Sequence, residues 1–150
     1  NTQYRTPRCH PTDSDVIACV GIRSGSRTPK IFLVSVETFL ESAGPLNDDG
    51  NPEKSPAWCL DGKHLVFISK VGSRLQVFRQ NIHNDQRQTI DLGAGRHPVD
   101  VWCSPFDPRG AVACKKEDGR GEIVIADYET GDKCVVINTP VPVVSLTWGP

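Results

Sequence analysis

Residues 55–69 read SPAWCLDGKHLVFIS, and this stretch has the pattern of one antiparallel hairpin. Pro56 and Trp58 open it, Asp61-Gly62 makes the turn, and the apolar run Leu65 to Ile68 leaves it. Gly62 and Asp61 tolerate the positive φ of a tight connection, while the β-branched and aromatic residues after Lys63 prefer a pleated, half-buried surface. The stretch recurs. Residues 7–20 read PRCHPTDSDVIACV, residues 101–115 read VWCSPFDPRGAVACK, and residues 146–150, LTWGP, open the same pattern. Cys9, Trp58, Cys103 and Trp148 stand 49, 45 and 45 residues apart, and two residues after each come Pro11, Leu60, Pro105 and Pro150.

A period in the mid-forties carrying several short strands per unit is the mark of propeller blades. The expected fold is therefore all-β: three four-stranded propeller repeats plus the first strand of a fourth, part of a larger or oligomer-closed propeller. Blade one is expected at about residues 5–40, a loop at 41–54, blade two at 55–98, blade three at 99–143, and the start of a next blade at 144–150, all in one propeller segment.

SPAWCLDGKHLVFIS followed by LQVFRQNI (residues 75–82) resembles the WD40-like repeats of the TolB family. Those repeats run as a Ser-Pro-x-Trp-Ser-Pro-Asp-Gly-Lys turn, an apolar strand, a Gly-containing loop and a second strand. Cys59 and Leu60 replace the usual Ser-Pro, and blade one has no Asp-Gly. The resemblance implies a non-enzymatic, periplasmic propeller that docks protein partners, among them the peptidoglycan-associated lipoprotein, and helps maintain the outer envelope. The same repeat pattern is similar to the substrate-filtering propellers of prolyl-oligopeptidase-type serine peptidases and to intracellular eukaryotic WD40 scaffold subunits. The last of these would place the chain in the cytoplasm, where free cysteines are at home.

Composition agrees with strands joined by tight turns: 12 Pro, 13 Gly and no Met in 150 residues. Seventeen basic residues nearly balance 18 acidic ones, so no global charge argues for nucleic acid or a membrane surface. No run reaches the roughly 18 apolar residues of a membrane span. Residues 1–8 have no apolar core of the kind that opens a signal peptide, which suits an intracellular protein, a mature product or an excised piece.

In chain order the expected strands of blade one are residues 7–10, 16–21 and 30–36, followed by a short helix or weak outer strand at 37–42 and a polar loop at 43–54. Blade two is expected at 55–59, 64–69, 75–81 and 86–92; Gln76, Arg79 and Gln80 suggest that one side of its third strand is less covered. Blade three is expected at 99–104, 110–115, 122–127 and 133–138, with residues 145–148 starting the next. Three blades in an arc leave two uncovered sheet faces, which are expected to be apolar.

No catalytic or metal constellation emerges. His10, His64, His83 and His97 share no ligand spacing, the six cysteines lack Cys-x-x-Cys, and Gly93-Ala94-Gly95 lacks the third glycine of a dinucleotide loop. No cofactor is expected. Cys9/Cys19 and Cys103/Cys114 fall on the two arms of single hairpins and so are candidate cross-strand pairs, though buried cysteine also serves as a small hydrophobe.

The functional pattern lies in the basic residues. In a propeller, the loops between second and third strands share one face with the connections between blades. Arg23, Arg27, Lys70, Arg74, Lys115, Lys116 and Arg120 fall in those loops, with Lys30 beside them, and Arg96 and His97 join from a connection. This predicts a basic face that docks an acidic protein partner, with self-association closing the ring as a further contact. Few aromatic residues interleave the loops, which argues against single-stranded nucleic acid.

Overall fold

The computed structural model describes residues 2–148, which fold into strands with no helix. They are β1 (Thr2–Cys9), β2 (Val16–Arg23), β3 (Lys30–Ser35), β4 (Glu41–Pro45), β5 (Glu53–Trp58), β6 (His64–Val71), β7 (Arg74–Asn81), β8 (Arg87–Ile90), β9 (Arg96–Cys103), β10 (Arg109–Lys116), β11 (Gly121–Asp127) and β12 (Lys133–Thr139). Each successive group of four is one antiparallel sheet with its strands side by side in chain order. The sheets are the blades. Their first strands lie innermost: β1 packs near β5 and β5 near β9.

The 55–69 hairpin closes as its residues dictate. Cys59 N donates to His64 O at 2.9 Å, and Asp61 Oδ1 accepts from Lys63 N and His64 N, leaving Gly62 at φ 64°. Blades one and three close the same turn without Asp-Gly. His10 N donates to Val16 O and Ser104 N to Arg109 O, while Asp13 and Asp107 each accept a backbone N–H two residues on. A second repeat feature is a break in register on every first strand. It falls between Arg5 and Arg8 on β1, between Lys54 and Ala57 on β5, and between Pro98 and Asp100 on β9. The breaks on β1 and β5 hold Pro7 and Pro56, which cannot donate to a ladder and so are accommodated in a bulge, whereas on β9 the unpaired residue is Val99, next to Pro98.

Strand β6 shows why its apolar run is unbroken. Leu65 and Phe67 pack toward blade one, with Trp58 and Phe78, against Ala18 and Ile31. Val66 and Ile68 point the other way, into a core with Val77, Ile90, Val101, Val112, Val124 and Tyr128. Side chains alternate across a strand, so a blade covered on both faces needs apolar residues at every position.

The structure corrects several expectations. The weak outer strand expected at 37–42 lies instead at 41–45 as β4, reaching into the expected loop, because Val34 and Phe32 of β3 supply an edge on which Glu41 and Pro45 pair. The first strand begins at Thr2 instead of residue 7, since Thr2 to Arg5 find partners on β2 from Val20 to Arg23. Gln80 is fully enclosed, because blade one covers the side that seemed open. Residues 145–148 form no strand: first strands of adjacent blades do not pair with each other, and no second strand follows among the described residues. Ser145 Oγ and Leu146 N instead hydrogen-bond to Asp100 Oδ2. The remainder of LTWGP, residues 149–150, lies outside the described residues.

The paired cysteines also separate. Cys9 faces Ile17 rather than Cys19, Cys103 faces Gly110, and Cys114 faces Pro98, so neither hairpin pair is opposed. All six thiols are free; Cys19, Cys59, Cys103 and Cys114 are buried, while Cys9 and Cys134 are exposed.

Candidate interaction surfaces

Because strand direction alternates, one edge of the three sheets collects the loops between second and third strands together with the interblade connections. Every basic residue expected there is on that edge. Arg23 ends β2, Arg27 lies in the loop after it, Lys70 is near the end of β6, Arg74 begins β7, Arg96 begins β9, Lys115 and Lys116 end β10, and Arg120 precedes β11.

Ion pairs divide them into two sets. Arg23 folds back over the outer face of blade one, 5.1 Å from the Phe32 ring, to reach Glu41 Oε2 at 2.5 Å. Burial pushes the Glu41 carboxyl up, but hydrogen bonds from Tyr4, Arg23 and Thr2 outweigh it and hold the group below its ordinary value. Arg96 Nε and Lys116 Nζ converge on buried Glu122 at 2.5 and 3.0 Å, and the Arg96 hydrogen bond lowers that carboxyl. Arg120 pairs with Asp118 at 2.6 Å. Lys30 is buried between Asp49 and Glu53. Arg27, Lys70, Arg74 and Lys115 are exposed and, among the described residues, form no ion pair. Charge alone could not separate these sets, because the pairing acids Glu41 and Glu122 lie on other strands.

The opposite edge holds a feature that sequence reasoning missed, a cavity of about 540 Å³ between the innermost strands of all three blades. Pro7, Arg8, Trp58, Leu60, Trp102 and Cys103 line it. The Arg8 guanidinium lies 4.3 Å from the Trp102 ring, and Trp58 Nε1 donates to Arg8 O at 3.0 Å. His10 packs edge-on against Trp58 and joins blade two: Nδ1 accepts from Asp13 N, so Nε2–H donates to Gly62 O at 2.8 Å. Leu60 and Phe106 stand exposed on neighbouring turns of this edge. The repeat placed each of these residues on a first strand or first turn, but their meeting depends on the angle between blades.

No family model matches the sequence. Solved structures do resemble the fold. A TolB from Agrobacterium tumefaciens superposes with a TM-score of 0.76 at 14% identity, covering 99% of this chain and 54% of that one. The β-propeller domain of the Trilobed protease from Pyrococcus furiosus gives 0.67 at 11%, covering 93% and 43%. Pyrococcus horikoshii acylaminoacyl peptidase gives 0.67 at 12%, covering 93% and 25%. The chain thus spans about half the length of the TolB structure it matches. With blades, strand order and interblade cores in place, the chain has the fold of a TolB-like β-propeller, of which the described residues form three blades.

Proposed function

We propose that this chain is a non-enzymatic scaffold that docks an acidic protein partner on the edge carrying Arg27, Lys70, Arg74 and Lys115. The observation that carries the reading is that these four cations, drawn from all three blades, are exposed on one edge without an intramolecular ion pair. Arg23, Arg96, Lys116 and Arg120 support the edge by bracing strands and turns. Likeness to TolB extends the proposal to the bacterial periplasm and to envelope partners such as the peptidoglycan-associated lipoprotein.

The test is binding of a fluorescent polyglutamate peptide. Exposed charges interact through screened Coulomb forces, so affinity should fall as salt is raised past about 0.15 M, where the Debye length is about 8 Å. Arg74→Glu combined with Lys115→Glu should weaken binding about tenfold at low salt. Equal affinity in the variant, or no response to salt, would remove the basic edge from the proposal.

A second reading is favoured by the likeness to peptidase propellers: a domain that filters substrates for a hydrolase. It predicts a nucleophile-elbow domain in the same gene product, which the gene sequence tests directly.

A further inference from the structure

Two thiols meet where blades two and three pack. Cys59 follows the innermost strand β5 and Cys103 ends the innermost strand β9; their Sγ atoms are 3.8 Å apart across the blade boundary. A disulfide bond is about 2.05 Å long, so closure needs an approach of roughly 1.8 Å, within reach of small side-chain and backbone adjustments. Both sulfurs are otherwise nearly enclosed, and Cys103 Sγ also lies 3.7 Å from Ala57 O. Each nonetheless borders a cavity. Cys59 lines one of about 180 Å³ with Asp61, Arg79 and Tyr128, and Cys103 lines the 540 Å³ cavity between the blades.

We propose that Cys59 and Cys103 are a redox pair that closes into an interblade disulfide when the protein meets a small disulfide such as oxidised glutathione. Cys103 has the larger cavity and therefore the room for the first step. Its thiolate attacks one glutathione sulfur, the glutathione S–S bond breaks, a mixed disulfide forms, and one glutathione leaves. The Cys59 thiolate then attacks the Cys103 sulfur, the protein disulfide forms, and the second glutathione leaves. The two protons released by the cysteines end on the two glutathione thiols, and the two electrons lost by the protein reduce the oxidant. Burial pushes the Cys103 thiol well above its ordinary value, so the first step is slow at neutral pH. The product would tie two innermost strands together at the mouth of the larger cavity and so limit how far blades two and three can part.

The test uses a Cys9→Ser/Cys134→Ser chain, which removes the two exposed thiols and leaves four buried ones. After incubation with oxidised glutathione and denaturing alkylation, two thiols should remain instead of four. Tryptic digestion should yield residues 55–63 linked to residues 97–109. The oxidised protein should melt about 5–10 °C above its own reduced form, because the bond closes a long loop in the unfolded chain. Introducing Cys103→Ala should abolish both the link and the shift, and comparing each variant with its own reduced form removes any cost of the substitution itself. Four free thiols after oxidation, glutathione adducts without the link, or a link through Cys19 or Cys114 would each overturn the proposal.

Discussion

Gly110 and Tyr128 show how one position can rest on another. Tyr128 is fully buried at the packing of blades two and three, and burial pushes its phenol far up. Its hydroxyl donates toward Ala111 O at 3.3 Å. A β-carbon at Gly110 would stand 2.0 Å from the ring and 2.5 Å from Trp102 O. A main-chain carbonyl inside a sheet cannot step aside, so Gly110→Ala should cost about 3 kcal/mol in urea unfolding. Tyr128→Phe keeps the packing and loses one hydrogen bond, so its cost should be near 1 kcal/mol. If the two variants proved equally mild, the ring would not be seated as described. Neither requirement was legible in the sequence: Gly110 reads there as a strand start, and Tyr128 as part of a turn.

At the scale of an element, β11 is anchored to its neighbours through Glu122, which receives Arg96 from β9 and Lys116 from β10. Removing one partner of a nearly enclosed ion pair leaves the others unmatched, so Glu122→Gln should destabilise the protein by about 2 kcal/mol at pH 7. The pH dependence has a definite sign. The folded carboxyl lies below its ordinary value of 4.5, so its contribution is complete above that value and is lost as pH falls through the lower folded value. The stability gap between wild type and Glu122→Gln should therefore be constant near neutrality and narrow below about pH 4. A gap that stayed constant into acid would show that the charge of Glu122 does not hold β11. Glu53 runs the other way. Burial raises its carboxyl despite the Ile31 N–H and Asn47 amide that it accepts, so its ionisation opposes folding as pH rises.

For the whole molecule, the telling surfaces are the outer faces of the end blades. On blade one, Tyr4, Pro7, Ile17, Val34 and Phe39 surround an apolar hollow of about 240 Å³, and Phe39 is 80% exposed. On blade three, Val135 and Ile137 are exposed on the side facing away from blade two, and Val141 and Val144 follow them in the chain. Contiguous apolar surface of this kind favours association. If a second copy covers these faces, light scattering of the chain should give a dimer whose mass is independent of salt, as apolar contacts are. A monomer would overturn the expectation that self-association covers these faces. This measurement is independent of the basic edge, whose contacts weaken with salt.

Periodicity determined a great deal by itself. The recurrence of Cys9, Trp58, Cys103 and Trp148, the Asp61-Gly62 turn and the apolar run Leu65 to Ile68 were enough to establish the blades, most of their strands and the edge on which each loop emerges, because these follow from local propensity and alternation. The fourth strand of blade one was misplaced because Glu41 to Pro45, ESAGP, has no strand propensity of its own and is extended only because β3 offers it an edge. The pairing of Cys59 with Cys103, the division of the basic residues into braced and unpaired, and the cavity between Arg8, Trp58 and Trp102 were decided by tertiary structure alone. Each depends on the angle and distance between blades, and these are set by interblade packing that no single repeat contains.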